Sequence, residues 1–366
     1  MTPDLLYKIA LTCIPNIGPV QAKILLQVYE PEEIFQAKRT DLEKIEGIGS
    51  IRAKSIKQFD KFRIAEEEMR FIEKFRIKPL FIGEEDYPLR LLNCYDSPTL
   101  LYYKGEANLN SSKIVSVIGT RNHTEYGKLM TEKFISDLAP LNVLIISGLA
   151  FGIDALAHKA ALRNNLATVG ILAHGLDQVY PHEHRSLAKE LTRNSGGLLT
   201  EFLSGTKPDR HNFPTRNRIV AGLSDATVVI ETGVSGGSMI TAELANGYNR
   251  DVFAFPGKVT DSKSAGCNQL IRNHKAILIT NGTELAELLR WQPKENVPKE
   301  KQRRLFVELT DNEKRVLQLL QEREMMHIDE LNLRSGLSSS AVAAAVLSLE
   351  LQNVIVALPG KVYGCQ

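Results

Sequence analysis

A short stretch at residues 210–222, RHNFPTRNRIVAG, combines three arginines with one aromatic side chain. Guanidinium groups pair with phosphate through a fork of N–H donors, and an exposed aromatic ring offers a face on which a nucleobase can stack. Arg210, Arg216 and Arg218, together with Phe213, therefore suggest a site for single-stranded nucleic acid. The alternative is that Phe213 packs the start of the next helix as a hydrophobic staple while the arginines are solvated.

Two further groups of residues could support catalysis or metal binding. Asp154 and His158 are four residues apart on a predicted helix, which permits a carboxylate–imidazole dyad. We favour a structural interpretation, in which the aspartate complements the helix dipole and the histidine is buried and hydrogen-bonded. The segment HEH at 182–184 is a weak metal motif, because helical neighbours two apart point to different faces. We therefore assign no catalytic residue, no metal and no cofactor.

From Lys113 onward, strongly apolar runs alternate with amphipathic helices such as YGKLMTEKFISDLA and IDALAHKAALRN. Uniformly apolar strands separated by helices predict a parallel sheet covered on both faces. The predicted fold class is therefore α/β, with a central Rossmann-like, doubly wound parallel sheet. The runs that predict its strands are KIVSVIGTR, NVLIISG, ATVGILAHG, GLLTEF, ATVVIETG, DVFAFPG and AILITNG.

The carboxyl ends of these strands should form the binding edge of the sheet, because ligands of open parallel sheets bind there. Small and basic residues follow several strands, and the loop SGGS precedes a helix whose N–H groups and dipole suit phosphate. We predict an anion-binding rim formed by Gly119, Thr120, Arg121, Ser147, Gly148, Gly236, Gly237, Ser238 and Lys258.

The stretch at 210–222 follows the fourth of these strands and should face the same rim. We expect its helix to begin near Pro214, which leaves Arg210 and Phe213 in the preceding loop and Arg216 on the first turn. The dinucleotide fingerprint GxGxxG is absent after the first strand, where GTRNHTEYG occurs, and GxxxxGK[ST] is absent throughout. NAD-dependent enzymes and P-loop NTPases are therefore disfavoured.

The first 60 residues contain a repeat, IPNIGPVQAKIL from Ile14 and IEGIGSIRAKSI from Ile45. Each copy predicts a helix, a tight glycine turn and a second helix, typical of a tandem helix-hairpin-helix or SAM-like module. Such hairpins can direct backbone N–H groups at a phosphate. The turns can equally serve packing alone, which we favour because Asn16 stands in the first copy where Gly47 stands in the second.

The remaining chain divides by composition. Residues 292–304, QPKENVPKEKQRR, are polar, basic and proline-bearing, as in a linker. Helical patterns near 311–323, 327–334 and 338–352, followed by two short strands around a Pro-Gly turn, predict a winged helix. The predicted domains are a SAM-like helical domain at 1–76, a Rossmann-like domain at 77–290, a linker at 291–308 and the winged helix at 309–366.

The bulk composition is typical of a globular protein, with 43% hydrophobic and 24% charged residues. A net charge of only +2 means that an anionic partner must be met by a local patch. The four cysteines are far apart, which favours a reducing compartment. We find no signal peptide and no apolar stretch of membrane-spanning length, and expect a cytoplasmic protein without a membrane partner.

Six long motifs, in the same order, resemble the bacterial DNA-processing family DprA, also called Smf, of natural transformation. The similarity covers nearly the whole chain, including the helical front and the winged-helix tail. It implies a non-enzymatic protein that binds single-stranded DNA, forms a homodimer through its Rossmann-like domain and helps load the recombinase RecA. The motifs are YPLRLLNCYDSPTLLYYKG, VIGTRNHTEYG, ISGLAFGIDALAHKAAL, FPTRNRIVAGLSD, ETGVSGGSMITAELA and FAFPGKVTDSKSAGCNQLIRNHKA.

The resemblance also implies which residues contact DNA. The family's pocket uses a Gly-Thr-Arg turn, a basic residue three before an aromatic, and an RNR sequence. The basic residue is often lysine in the family, so arginine at position 210 keeps the charge but changes the geometry. The matching residues are Arg121, Arg210, Phe213, Arg216, Asn217 and Arg218.

Two other functions are compatible with parts of the sequence. The segment GVSGGSMITAE, with Glu231 and Glu243, resembles the glycine-rich site of Rossmann-like nucleotide phosphoribohydrolases of the lysine-decarboxylase-like family. That family's PGG-x-GT string is not matched, and release of ribose phosphate from a nucleotide would identify such an enzyme. The third possibility is a structural RecA adaptor, which would retain oligonucleotides weakly and without salt dependence.

A C-terminal truncation tests the role of the tail. The predicted third helix of the winged helix, SSSAVAAAVLSLELQ, has no lysine or arginine and carries Glu350, whereas phosphate affinity depends on cations. Removing residues from about Gln292 onward should leave the single-strand Kd within about a factor of three, or about 0.7 kcal/mol. A tenfold or larger loss in a fluorescence titration would show that the tail binds DNA.

Overall fold

The computed structural model describes residues 3–291 and 309–365, except 324 and 353. Its centre is a nine-stranded sheet, and all seven strands that the apolar runs predicted are present. Two further strands precede them. The strands are β1 (Lys78–Phe81), β2 (Leu100–Gly105), β3 (Ile114–Ile118), β4 (Leu144–Ser147), β5 (Thr168–Ile171), β6 (Gly197–Thr200), β7 (Ala226–Val229), β8 (Asp251–Ala254) and β9 (Ile277–Leu278).

The strand order is β1-β2-β6-β5-β4-β3-β7-β8-β9. The seven strands from β3 to β9 run parallel, as predicted. The expectation of a wholly parallel sheet is corrected at one edge, because β1 pairs antiparallel with β2 and β2 pairs antiparallel with β6. The sheet is therefore mixed but mostly parallel, and the predicted α/β fold class is confirmed.

Helices cover both faces of this sheet, and a separate apolar core fills each side. β3 lies between them with all five of its residues buried, which explains why four of the five are apolar. The helices of this region are α7 (Leu89–Leu92), α8 (Glu125–Leu138), α9 (Ile153–Arg163), α10 (Arg185–Arg193), α11 (Asn212–Gly222), α12 (Gly237–Gly247), α13 (Ala265–Arg272) and α14 (Gly282–Leu288), with short 3₁₀ turns at Ala139–Leu141 and His182–His184.

Six helices precede the sheet and form the predicted tandem hairpins. Asn16 and Gly47, at equivalent places of the repeat, both adopt left-handed backbone with φ of 64° and 83°; asparagine is one of the few residues that tolerates this. Lys23 Nζ donates to the backbone oxygen of Tyr95 at 2.7 Å, so the first hairpin packs on the central region. The helices are α1 (Pro3–Thr12), α2 (Pro19–Leu26), α3 (Pro31–Gln36), α4 (Arg39–Glu43), α5 (Gly49–Lys57) and α6 (Phe62–Phe75).

The C-terminal region is a winged helix with its own apolar core. Its sheet has three strands, and the first of them, β10 (Met325–His327), was not predicted. In this sheet β12 (Val362–Cys365) lies between β10 and β11 (Ile355–Leu358). An inter-region hydrogen bond joins Asn93 to Asp329. Across the described residues, no helix has the length and apolar composition to cross a membrane. The elements are α15 (Asp311–Glu322), β10 (Met325–His327), α16 (Ile328–Ser335), α17 (Ser339–Leu351), β11 (Ile355–Leu358) and β12 (Val362–Cys365).

A buried ion pair fixes the amino ends of the central strands. Arg90 Nε donates to Asp225 Oδ1 at 2.6 Å, and Nη2 donates to Oδ2 at 3.0 Å. The same carboxylate accepts the backbone N–H of Ile114 at 2.9 Å. The pair therefore ties α7 to the start of β3 and to the turn before β7.

Removing one partner of this pair should destabilise the fold strongly. In Arg90→Ala, the buried Asp225 carboxylate loses its counter-ion, which typically costs about 3–5 kcal/mol. The matched control is Arg39→Ala, which breaks the surface pair with Glu43 and should cost at most about 1 kcal/mol. Urea unfolding followed by circular dichroism measures both. Equal midpoints for the two variants would contradict this account.

Candidate functional site

A cavity of about 430 Å³ opens beyond the carboxyl ends of β3 and β7. In the sheet, β4 to β6 follow on one side of β3, and β7 to β9 follow on its other side. The strand order therefore reverses between β3 and β7, and the cavity lies at this topological switch point. Crevices at this point are the usual ligand sites of open α/β sheets. The lining comes from the loops after β3, β4 and β7, from one side of α11 and from the start of α12.

Helix α11 begins at Asn212, two residues before the predicted start at Pro214. Phe213 therefore lies in the first helical turn, and its expected loop position is corrected. Proline is tolerated here because N–H groups of the first turn have no intrahelical acceptor. The earlier start matters because it fixes the direction of the Phe213 side chain relative to Arg216, three residues on.

The Phe213 ring is half-buried at the mouth of the cavity, close to two cations. The Arg121 guanidinium lies over it at 5.3 Å from the centroid, and that of Arg216 at 5.9 Å. The Tyr180 ring is 6.1 Å away. Phe213 belongs to none of the hydrophobic clusters found among the described residues. This environment does not match a hydrophobic staple, which requires an apolar partner.

Arg216 is buried, with 4% of its surface exposed. Its Nη1 donates to the backbone oxygens of Gly148 and Ile171, which end β4 and β5. Its Nε donates to Asn217 Oδ1 at 3.1 Å. Among the described residues, Nη2 has no hydrogen-bond partner, so one end of the guanidinium stays available to an anion in the cavity.

Burial perturbs the two ionisable groups at the cavity floor. It lowers the pKa of Arg216 to about 10, against the opposing effect of the Asp154 carboxylate, so the arginine is still charged at neutral pH. Burial raises the pKa of Asp154, and the Arg216 charge opposes that rise. A side chain at Gly148 would place its Cβ 2.6 Å from Arg216 Nη1 and 2.7 Å from Asp154 Oδ2. Glycine therefore makes room for this buried charge pair.

The loop after β3 is held by Glu231, a buried residue that follows β7. Its Oε1 accepts the Thr124 hydroxyl at 2.8 Å, and its Oε2 accepts the Thr124 N–H at 2.9 Å. Its backbone oxygen accepts the Thr120 N–H at 2.7 Å. These bonds fix the Gly-Thr-Arg turn and aim Arg121 at the mouth of the cavity.

The glycine-rich loop places the N-terminus of α12 in the cavity wall. Gly236 precedes the helix with φ of +136°, a conformation that favours glycine. Ser238 Oγ is 2.6 Å from Thr232 Oγ1, which fixes the first turn. The first N–H groups of a helix lack intrahelical acceptors and carry the positive end of the dipole. This wall therefore suits a phosphate.

Ten of the fourteen predicted contact residues line this single cavity. They come from four separate segments, which only the fold brings together. They are Gly119, Thr120, Arg121, Gly148, Phe213, Arg216, Asn217, Gly236, Gly237 and Ser238.

Four predicted contact residues do not line the cavity. Ser147 is buried within the sheet, with its hydroxyl donating to the Val117 oxygen at 2.6 Å. Arg210 and Lys258 are exposed on loops nearby. Arg218 is buried and forms an ion pair with Glu201. Because Arg218 donates to Glu201 and to the Asp96 oxygen, its charge serves packing away from the site.

Helical geometry explains why Arg216 and Arg218 differ. Phe213, Arg216, Asn217 and Val220 follow the i, i+3, i+4, i+7 spacing of one helix face, whereas Arg218 lies off that face. The spacing was visible in the sequence and could have added Val220 and excluded Arg218. On α12, Thr241 follows Gly237 by four residues and also lines the cavity. Ile118 and Ala150, which neighbour predicted residues, were missed as well.

Of the two residues of the candidate dyad, Asp154 lines the cavity and His158 does not. His158 is fully buried and its Nδ1 is 2.6 Å from Thr168 Oγ1; burial lowers its pKa to about 3, so it is neutral. Glu231 holds a loop and does not line the cavity, and exposed Glu243 pairs with Lys275. His184 Nδ1 contacts the Leu149 oxygen. Within the described ranges, no cluster of three or more His, Cys, Asp or Glu could hold a metal.

Family models match most of the chain. Residues 78–290 match the family described as DNA recombination-mediator protein A. Residues 300–361 match the DprA winged helix domain, and residues 8–59 match a SAM-like helix-hairpin-helix tandem.

Curated relatives extend the similarity to full length. A Smf protein of Synechocystis is 32% identical over 98% of both chains. The DNA processing protein DprA of Streptococcus pneumoniae is 39% identical over 60% of this chain and 77% of its own. The chain therefore belongs to the DprA/Smf family, as the sequence motifs predicted.

Two solved structures share the fold. DNA processing protein A from S. pneumoniae superposes with a TM-score of 0.66 at 33% identity, over 78% of this chain and 98% of its own. The protein from Helicobacter pylori superposes with a TM-score of 0.54 at 30% identity, over 59% and 96%. The H. pylori structure concerns that protein's single-stranded DNA binding mode.

Proposed function

We propose that this protein binds single-stranded DNA without catalysing a reaction. The observation that carries the proposal is the Phe213 ring, which lies near the Arg121 and Arg216 guanidinium groups at the mouth of a cavity whose wall includes a helix N-terminus. A base can stack on the ring while its phosphate meets the guanidinium and N–H donors. Membership of the DprA/Smf family and the single-stranded DNA binding of the H. pylori relative support the proposal.

The cavity chemistry favours binding over hydrolysis. N-glycosidic hydrolysis needs a carboxylate facing the sugar, and Asp154 is the only carboxylate among the described residues that line the cavity. Asp154 accepts the Ala150 N–H at 3.4 Å, and its charge interacts with that of Arg216, which is consistent with a structural role. Glu231, the carboxylate that suggested a hydrolase, points at Thr124 instead.

The family resemblance extends the proposal to partners. We also propose that the protein acts as a homodimer in the cytoplasm and helps load a RecA-type recombinase onto the bound strand during DNA uptake. A loading role requires a protein that holds a strand through a few nucleotides and leaves the rest accessible. A compact cavity that grips one or two bases meets that requirement better than a long groove.

Oligonucleotide titrations should show a preference for single strands over duplex. A stacking ring needs an unpaired base, and the described third helix of the winged helix, α17, carries no cation. In a plot of log affinity against log salt concentration, each phosphate that the protein neutralises should contribute about −0.7 to the slope. A flat salt response, or tighter binding to duplex of the same sequence, would refute the proposal.

Substitutions at Phe213 and Arg121 should separate stacking from charge. Phe213→Ala should cost about 1–3 kcal/mol of affinity for oligo-dT with little change in salt slope, because no cation is lost. Arg121→Ala should weaken binding and flatten the slope by about one phosphate equivalent. Tyr95→Ala and Arg63→Ala, exposed residues outside the cavity, serve as controls. If Phe213→Ala melts earlier yet binds like the parent, the ring serves folding instead.

Light scattering tests the proposed homodimer. At micromolar concentrations the mass should be about twice the 40.8 kDa of one chain. Persistent monomer across this range would remove the dimer from the proposal.

Strand-exchange assays test recombinase loading. They are run with and without the protein, on single strands coated by a competing single-strand binder. Absence of stimulation would remove recombinase loading alone from the proposal.

A further inference from the structure

A second, shallower depression lies beside the cavity, on the far side of Phe213. The two share one wall, since Arg121, Gly148, Ala150, Phe213 and Arg216 line both. The depression itself encloses only about 30 Å³, so a ligand would lie over it rather than inside it. Its remaining surface comes from the loops after β4 and β5, and no carboxylate of the described residues lines it.

Two large aromatic side chains form this surface, which we call the aromatic platform: Phe151 and Tyr180. They are 42% and 44% exposed, respectively. Neither belongs to an apolar cluster among the described residues. Single exposed apolar residues are common on protein surfaces; two aromatic rings lining one depression beside a third ring and two guanidinium groups are a specific arrangement.

Two buried histidines support the platform, one through the Phe151 ring and the other through the backbone of Tyr180. The His184 ring packs edge-on against Phe151 at 5.0 Å between centroids, and its Nδ1 is 2.9 Å from the Leu149 oxygen. His174 Nε2 accepts the backbone N–H of Tyr180 at 3.2 Å, while Nδ1 donates to the Gly175 oxygen at 2.9 Å. Burial lowers the pKa of His174, so its neutral form keeps Nε2 as an acceptor. The platform is therefore preorganised, which reduces the entropy lost on binding.

We propose that the aromatic platform takes a second nucleobase of the same DNA strand, next to the base on Phe213. This rests on the proposed function. A base fits because the platform offers exposed aromatic rings for stacking, and because Arg121, shared by both depressions, can neutralise the linking phosphate. The Tyr180 and Phe213 rings lie 6.1 Å apart and 54° from parallel. Successive stacked bases of a duplex are about 3.4 Å apart, which is less than the 6.1 Å between these rings. The two nucleotides must therefore unstack from each other to occupy both rings.

The test compares oligo-dT with an abasic oligomer of equal length, which keeps the phosphates and lacks the bases. Tyr180→Leu and Phe151→Leu keep apolar volume but remove the ring. Each should weaken oligo-dT binding about fivefold or more, as expected for one lost stacking contact, and leave abasic binding and the salt slope unchanged. Tyr180→Phe should bind like the parent. Matched controls are Tyr95→Leu and Phe75→Leu, exposed aromatics elsewhere.

Combining Tyr180→Leu with Phe213→Ala separates direct stacking from indirect support. If each ring holds its own base, the fold-losses should multiply, since independent contacts add in free energy. If Tyr180 merely supports Phe213, the double variant should bind like Phe213→Ala alone, which would overturn the proposal. Thermal melts confirm that each variant is folded; if one is not, Phe151→Leu and Tyr180→Leu can each replace the other.

The outcomes distinguish this proposal from the function on which it rests. A parent protein that does not bind oligo-dT overturns both. A parent that binds, with Phe213→Ala weakened but both leucine variants unchanged, overturns only the second base site. Equal losses on oligo-dT and on the abasic oligomer would also overturn it, because they would show that the platform acts without contacting a base.

Discussion

The site depends on one buried cation, the guanidinium of Arg216. Placing a charge out of water costs several kcal/mol unless the fold supplies partners. Here the partners are the carbonyl oxygens at the ends of two neighbouring strands and the carboxylate of Asp154. The absence of a side chain at Gly148 lets all of them converge. Because Arg216 ties α11 to the sheet edge, it also fixes Phe213 one turn earlier.

The same burial explains the electrostatics of the cavity. Arg216 keeps its charge at neutral pH although burial lowers its pKa to about 10, and burial raises the pKa of its partner Asp154. Arg216 therefore supplies a buried positive charge beneath the cavity, and Arg121 adds a second, exposed cation at the mouth. An anion entering the cavity completes the coordination of a guanidinium already oriented by the sheet, so little side-chain entropy is lost on binding.

The fold was predictable where burial dictates the sequence. Strands β3 to β7 are buried along their whole length, so their sequences are mostly apolar. β1 and β2 were not predicted. β1 is a short edge strand that contains Pro79, and a proline in the sequence argues against a strand. β10 spans three residues, too few for a periodic signal. The repeat was recognisable, and the left-handed backbone of Asn16 shows why asparagine can replace glycine there.

The site was predictable in its segments but not in the roles of its arginines. Composition cannot tell a solvated arginine from a buried one, and three basic residues in one stretch turned out to differ. Arg210 is exposed, Arg216 is buried beneath the cavity, and Arg218 is paired with Glu201 on another side of the helix. The helix face decides between the last two, because Arg216 shares a face with Val220 and Arg218 does not. Glu231 carried no sequence signal for its role, because the loop it holds is more than 100 residues away.

Charge and stacking are not independent at this site, since Arg121 lies over the Phe213 ring that a base would use. A cation over an aromatic ring is attracted to its π system, so Arg121 helps to orient the ring that the base would contact. The same cation borders both depressions, so a phosphate bound to it is positioned between two aromatic surfaces. A strand held in this way is gripped by its backbone at one point and by its bases on either side. That geometry excludes a paired strand, whose bases face their complement, and it leaves the flanking nucleotides free.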